Sequence, residues 1–291
     1  LRKGERLTAA LLSLAFLALS GCLLLAGEGI LRDEGVSVLR VASGGVRGTL
    51  FLPALLPEQT VTIPEEDHAH RVTTGGRCAA ALVLAGRFDG ARTLAAELAR
   101  RGVAALIPDG NVPASEAWEW LSGQPFVRES SVALIAAESR AAAALSLGRT
   151  LAPTDRAAAA AILRGEEDTL RLAADYPGRN LLILTDREPA EEAKADFFGA
   201  DYDAGRRFSG YFSEGTARAA VTVPGRLSAR PALVTVMDWQ GSALGHAVEL
   251  ADDDVICGRV VCCRIGAALC VGAAAVVRIL RRRTGGTAGS T

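Results

Sequence analysis

The chain has 291 residues, 49% of them apolar, which suffices for one large core or two small ones. A formal net charge of −1 gives no whole-chain reason to expect a nucleic-acid partner. Six cysteines (Cys22, Cys78, Cys257, Cys262, Cys263 and Cys270) show neither a disulfide framework nor zinc spacing, because all but Cys78 lie in or beside apolar segments near the ends. Lys3 and Lys194 are the only lysines, so nearly every cation is an arginine. No cofactor is implied.

Leu7 to Ala26 is an almost unbroken apolar run behind Arg2, Lys3 and Arg6. Its length matches a bilayer core of roughly 30 Å, and its basic flank favours a cytoplasmic N-terminus. Residues 1–26 are therefore an N-terminal anchor or signal. Leu19-Ser20-Gly21-Cys22 also resembles a lipoprotein processing box, with Cys22 as the lipidated residue, although Leu23 to Ala26 continues the apolar run.

The next element is a β-prone alternating run, Gly45 to Leu52. Pro53 to Arg77 is polar and acidic around Glu65-Glu66-Asp67 and reads as a loop or a hairpin with a long insertion. His68 and His70 beside these acids suit either a metal or a solvated loop. Cys78 to Ala85 is a continuous apolar run, the signature of a strand buried on both faces. A turn at Gly86 to Gly90, a helix over Ala91 to Arg101 and a second buried strand over Val103 to Ile107 complete a βαβ unit with parallel strands. A short helix over Ser115 to Leu121 follows.

Ser131 to Gly148, SVALIAAESRAAAALSLG, reads as a strand (Val132 to Ala136), a tight turn centred on Ser139 and an alanine-rich helix. That is the layout of a nucleophile elbow. Arg156 to Leu163 is ambiguous between strand and helix. Asn180 to Thr185 is a buried strand, Ala190 to Phe198 a helix, Ala219 to Val223 a last strand, and Pro231 to Leu244 a closing amphipathic helix. The alternation predicts one doubly wound, mostly parallel α/β domain over residues 35–250.

Val255 to Leu280 is a second candidate transmembrane span, followed by Arg281, Arg282 and Arg283. Arg259 and Arg264 lie near one end, where long side chains reach the interface. The alternative is an apolar helix packed on the domain. Both basic flanks agree on cytoplasmic termini and an extracytoplasmic body, and residues 284–291 read as a disordered tail.

Over residues 45 to 244 the order of these segments resembles the α/β-hydrolase superfamily, and within it membrane-anchored bacterial members. LVLAGRFDGARTLAAELARRGVAALIPDG looks like its strand, oxyanion loop, helix and next strand. VALIAAESRAAAAL looks like its elbow, NLLILTDREP like the strand presenting the acid, and ALVTVMDWQGSALG like its closing helix. The resemblance implies Ser139 as nucleophile, Glu188 or else Asp186 as the acid, and Gly86, Arg87 and Arg140 around the oxyanion. The pattern is degenerate. Glycines of G-x-S-x-G are Ala137 and Ala141, and the interval Val223 to Arg230, where the family carries its histidine, has none. His246 follows the closing helix and is the remaining candidate base.

These readings lead to three expectations. One is a membrane-tethered, catalytically degenerate binding or scaffolding module. Another is a serine esterase, lipase or peptidase acting on a small ester or amide with His246 or a loop histidine. The third is a membrane protein whose body packs on another membrane protein, with Arg259 and Arg264 pairing to its acids.

Overall fold

The computed structural model describes residues 3–53, 60–64, 69–73, 76–86, 90–137, 140–151, 159–163, 167–176, 180–185, 187–199, 211–213, 216–223, 230–244 and 257–286. The chain divides into two compact units, residues 1–34 with 256–291, and residues 35–255.

The first unit is a pair of helices, α1 (Lys3–Asp33) and α8 (Cys257–Gly286). Gly27 faces Cys263 while Leu23 faces Gly266, so the helices run antiparallel. The less exposed positions of α1 include Ala9, Ser13, Phe16, Ser20, Leu23 and Gly27, and those of α8 include Val260, Cys263, Ala267, Cys270, Ala274 and Val277. Both series step alternately by three and four, the period of two helices wound on one seam. The seam mixes small or weakly polar side chains with Phe16, Leu23, Val260 and Val277, whereas Leu14, Leu25 and Leu269 are 65%, 68% and 69% exposed. α8 continues to Gly286, into the segment expected to be a disordered tail; residues 287–291 lie outside the described residues.

In the second unit, β1 (Val36–Ser43) and β2 (Val46–Pro53) form a hairpin through Gly44 and Gly45. Both glycines have positive φ, 60° and 83°, as a two-residue hairpin turn requires. β3 (Thr60–Pro64) and β4 (Ala69–Thr73) form a separate two-stranded sheet inside the expected insertion. The βαβ unit is β5 (Cys78–Leu84), α2 (Ala91–Arg100) and β6 (Val103–Pro108), with the two strands parallel. All seven residues of β5 are buried. α2 buries Leu94, Ala95, Leu98 and Ala99, and Gly102, at φ 84°, turns the chain out of it.

The remaining elements are α3 (Ala114–Ser122), β7 (Val127–Ala137), α4 (Ala141–Leu151), β8 (Ala159–Leu163), α5 (Glu167–Ala173), β9 (Asn180–Thr185), α6 (Glu191–Phe198), β10 (Tyr211–Ser213), β11 (Thr216–Thr222) and α7 (Arg230–Leu244). They complete a nine-stranded sheet in the order β1-β2-β6-β5-β7-β8-β9-β11-β10. β6, β5, β7, β8, β9 and β11 are parallel; β2 and β10 run against their neighbours. With the β3–β4 hairpin and the edge strand β10 set aside, this is the α/β-hydrolase strand order. An antiparallel hairpin leads, β6 and β5 are exchanged, β7, β8, β9 and β11 follow in sequence, and β10 is added antiparallel at the edge. The domain has the α/β-hydrolase fold.

Three fixtures hold these layers. Gly48 lets β2 approach β6, since a Cβ there would stand 2.5 Å from the Ile107 carbonyl oxygen. The Arg218 guanidinium on β11 donates to the carbonyls of Ala174 and Phe197 at 2.8 Å and of Tyr176 at 2.9 Å, which ties the ends of α5 and α6 to the sheet. The Tyr176 ring fills the space over Gly148 on α4, where a Cβ would meet it at 2.5 Å.

The structure extends the sequence reading at several points. β1 and β10 were not expected, nor was α5, a single short helix beside alanine-rich neighbours. The strand expected over Val132 to Ala136 begins five residues earlier, at Val127, with an irregularity in pairing opposite Cys78 and Ala80.

Burial pushes the Tyr176 hydroxyl from 10.0 up to about 12. Because the folded value is raised, its contribution is full below pH 10 and is lost as pH rises towards 12. In urea unfolding of the wild type the Tyr176 share of the stability lost over that window should be about 2 kcal/mol. Tyr176→Phe should remove the Tyr176 share of this slope; an unchanged slope in the variant contradicts it.

Candidate functional site

Parallel strands joined by crossover helices present all their C-terminal ends on one side, and pairing register decides how closely those ends align. Here Leu84 of β5 lies opposite Ala136 of β7, Ala137 opposite Leu163 of β8, Leu163 opposite Leu184 of β9, and Thr185 opposite Thr222 of β11. The edge is therefore level from β5 to β11. The segments carrying Gly86, Ser139 and Glu188 all leave the sheet from it.

Each candidate can be placed against that edge. Gly86 is exposed, two residues beyond β5. β7 ends at Ala137 and the next helical turn opens at Arg140, so only Glu138 and Ser139 connect them, and both lie outside the described residues. Arg87, Asp186, His246 and His68 also lie outside them, as does the interval 224–229. His70 belongs to β4, opposite Ile63 in the separate hairpin. Among the described residues no group of three or more His, Cys, Asp or Glu is placed to hold a metal ion.

Glu188 is the acid candidate, and its side chain is 70% exposed three residues beyond β9. Lys194 of α6 donates to Glu188 Oε1 at 2.9 Å and to Glu191 Oε1 at 2.8 Å. The Lys194 side chain is only 5% exposed. Its pKa is raised, first by the hydrogen bond to Glu191 and then by the bond to and charge of Glu188, against the cost of desolvation. One oxygen of the acid is thus committed to an ammonium. The sequence names Glu188 but not its partner, because a six-residue separation matches no helical spacing and is closed only by the turn into α6.

Two further features of the edge were missed. Thr185 Oγ1 and Thr222 Oγ1 lie 3.3 Å apart across β9 and β11, and the Val223 N–H donates to the Thr185 carbonyl at 2.9 Å. They fix the start of the segment leading to α7. Arg140, expected only as a neighbour of the oxyanion, sends its Nη2 to the Gly110 carbonyl beyond β6. Neither contact has a sequence signal, since each joins segments that only the strand order brings together.

No protein-family model matches the chain, and no curated protein matches it by sequence. Among solved structures it is similar to a bacterial heroin esterase, with 10% identity and a TM-score of 0.48 over 76% of this chain and 89% of that one. It is also similar to S-formylglutathione hydrolase from Staphylococcus aureus, with 12% identity and a TM-score of 0.44 over 70% and 95%. An esterase of the planctomycete Thermogutta terrifontis gives 13% and 0.44 over 75% and 97%. At such identities these matches assign no residue of this chain a role.

Replacing Lys194 by Met leaves Glu188 and Glu191 without their shared cation. Urea unfolding at neutral pH should show a loss of about 1 kcal/mol, since both carboxylates are largely hydrated. The raised lysine pKa means that this difference persists below about pH 10 and fades as pH rises through the folded value. A variant as stable as wild type at pH 7 would remove the pair from any account of the edge.

Proposed function

We propose that residues 35–255 form a membrane-tethered α/β-hydrolase-fold domain that holds a small ester or amide ligand at the C-terminal edge of its sheet. In this reading it acts as a binding or scaffolding module with an incomplete triad. The observation that carries the ligand site is the level edge, from which the Gly86, Ser139 and Glu188 segments emerge together. Two observations support binding over turnover. The interval 224–229 contains no histidine, and Glu188 Oε1 is engaged by Lys194. Without a neutral base near pH 7 a serine hydroxyl is a weak nucleophile.

A second reading is a serine hydrolase in which His246 supplies the base. The three-residue connection between β7 and α4 supports it, because that is where a strand-to-helix turn exposes a nucleophile. His246 lies two residues past the end of α7, and triads of different chain order reach the same geometry.

The tether is supported by the helix pair. α1 and α8 each carry a window apolar enough to cross a bilayer, Thr8–Asp33 and Arg259–Leu280, with mean hydropathies of 2.4 and 2.2. Most leucines face outward, while Ser13, Ser20, Gly27 and Ala267 lie on the seam beside Phe16 and Leu23. That is the reverse of a water-soluble pair and suits lipid, where small residues let helices approach. Antiparallel pairing brings the Lys3–Arg6 end of α1 to the Arg281–Arg283 end of α8, so both basic flanks favour the same cytoplasmic side. The body is then extracytoplasmic. α1 runs unbroken past Cys22, which is exposed on it, and this supports an uncleaved anchor.

In purified full-length chain, a fluorophosphonate probe should give no Ser139-dependent labelling, and p-nitrophenyl esters should hydrolyse at the buffer rate. Labelling lost in Ser139→Ala, with turnover lost in both Ser139→Ala and His246→Ala, would establish the hydrolase reading instead.

Orientation has its own measurement. In an otherwise cysteine-free chain, Ser115→Cys should react with a membrane-impermeant maleimide on intact cells, and Ser290→Cys only after lysis. The opposite pattern rejects the topology.

A further inference from the structure

The Arg140 contact lies across the part of the edge where the proposed ligand would sit. In the sheet, β5 separates β6 from β7. Arg140 follows the end of β7, and its Nη2 donates to the carbonyl of Gly110, which follows the end of β6. Their strands stand two spacings apart, about 10 Å. The bond therefore closes over the C-terminal end of β5, where Ala85 and Gly86 leave the sheet.

The same loop is held on its other flank. Asp109 accepts from Arg40 Nη1 at 3.4 Å and donates its own N–H to the Arg47 carbonyl at 2.8 Å. The one carboxylate of this loop is thus turned towards β1, and Arg140 meets a neutral carbonyl. A guanidinium has five N–H donors and keeps its charge at any pH a protein tolerates. Binding one carbonyl fixes its orientation without neutralising it. A fixed, half-exposed guanidinium beside a ligand edge is a receptor for a planar anion, and its fork matches a carboxylate.

We propose that Arg140 is the anion-binding residue of the edge and that the ligand carries a carboxylate. The proposal rests on the reading of this edge as a ligand site and deepens it: the ester or amide held there also carries a carboxylate.

Calorimetric titration of the full chain in detergent tests it, with sodium butyrate, butyramide and inorganic phosphate as probes at constant ionic strength. Wild type should bind butyrate at least tenfold more tightly than butyramide. Arg140→Gln should lose that preference and keep butyramide binding, while Arg40→Gln should retain the preference. Phosphate should bind no more tightly than butyrate. Equal affinity for butyrate and butyramide in wild type overturns the proposal and leaves the ligand edge standing, and this comparison holds even if Arg140→Gln does not fold. A preference that survives Arg140→Gln, or is lost in Arg40→Gln, overturns the assignment to Arg140. Tighter binding of phosphate overturns the ligand class. Binding of none of the probes overturns the ligand-edge reading and this proposal with it.

Discussion

Parallel strands cannot be joined by a tight turn, and this domain follows from that constraint. Each return to the same direction needs a crossover, which places every strand end of one kind on the same side of the sheet. The register here then aligns those ends, from Leu84 and Ala136 to Thr185 and Thr222. A strand between two others at the centre must be apolar on both faces, and β5 is buried at every residue. The price is that such a strand can carry no chemistry along its length. Groups free to meet a ligand are pushed to the segments just beyond the strand ends, where the candidates Gly86, Arg140 and Glu188 stand.

The same constraint explains what could be read from the sequence. β5, β6, β9 and the core of β7 are continuous apolar runs, and such runs survive as strands whatever surrounds them. β1 is different. It buries Val36 and Val41 but exposes residues between them, and its stability comes from pairing with β2 rather than from its own composition. Gly44 and Gly45 turn the chain between the two strands, yet a hairpin is visible only when both arms are recognised. α5 and β10 are too short to declare a period. The extension of β7 back to Val127 passes through Arg128 and Glu129, whose charges hide a strand from any reading based on hydrophobicity.

The helix pair shows how a pattern can be legible in kind but not in detail. Two long apolar runs with basic flanks were evident. Their seam was not, because Ala, Ser, Gly and Cys do not stand out against a background of leucine. Only the burial at Ser20, Gly27, Val260, Ala267 and Ala274 reveals the heptad spacing. In water such a seam would leave most of the leucines of both helices unburied. Among lipid tails, close approach and exclusion of acyl chains are the terms left, and small residues favour both.

At the edge the sequence does not show how the charges pair. A serine hydrolase moves a proton: the imidazole gains charge as the nucleophile attacks, and the acid exists to stabilise that transient cation. Here the cations are permanent. Lys194 is buried against the acid candidate with its pKa raised, and Arg140 is fastened across the end of β5. Neither can accept a proton at neutral pH, because each is already protonated. A carboxylate satisfied by a standing ammonium contributes less to an imidazolium that would have to compete for it. Permanent charge can hold an anion in place, but it cannot relay a proton. On the proposed reading, these permanent charges serve retention of a ligand rather than its turnover.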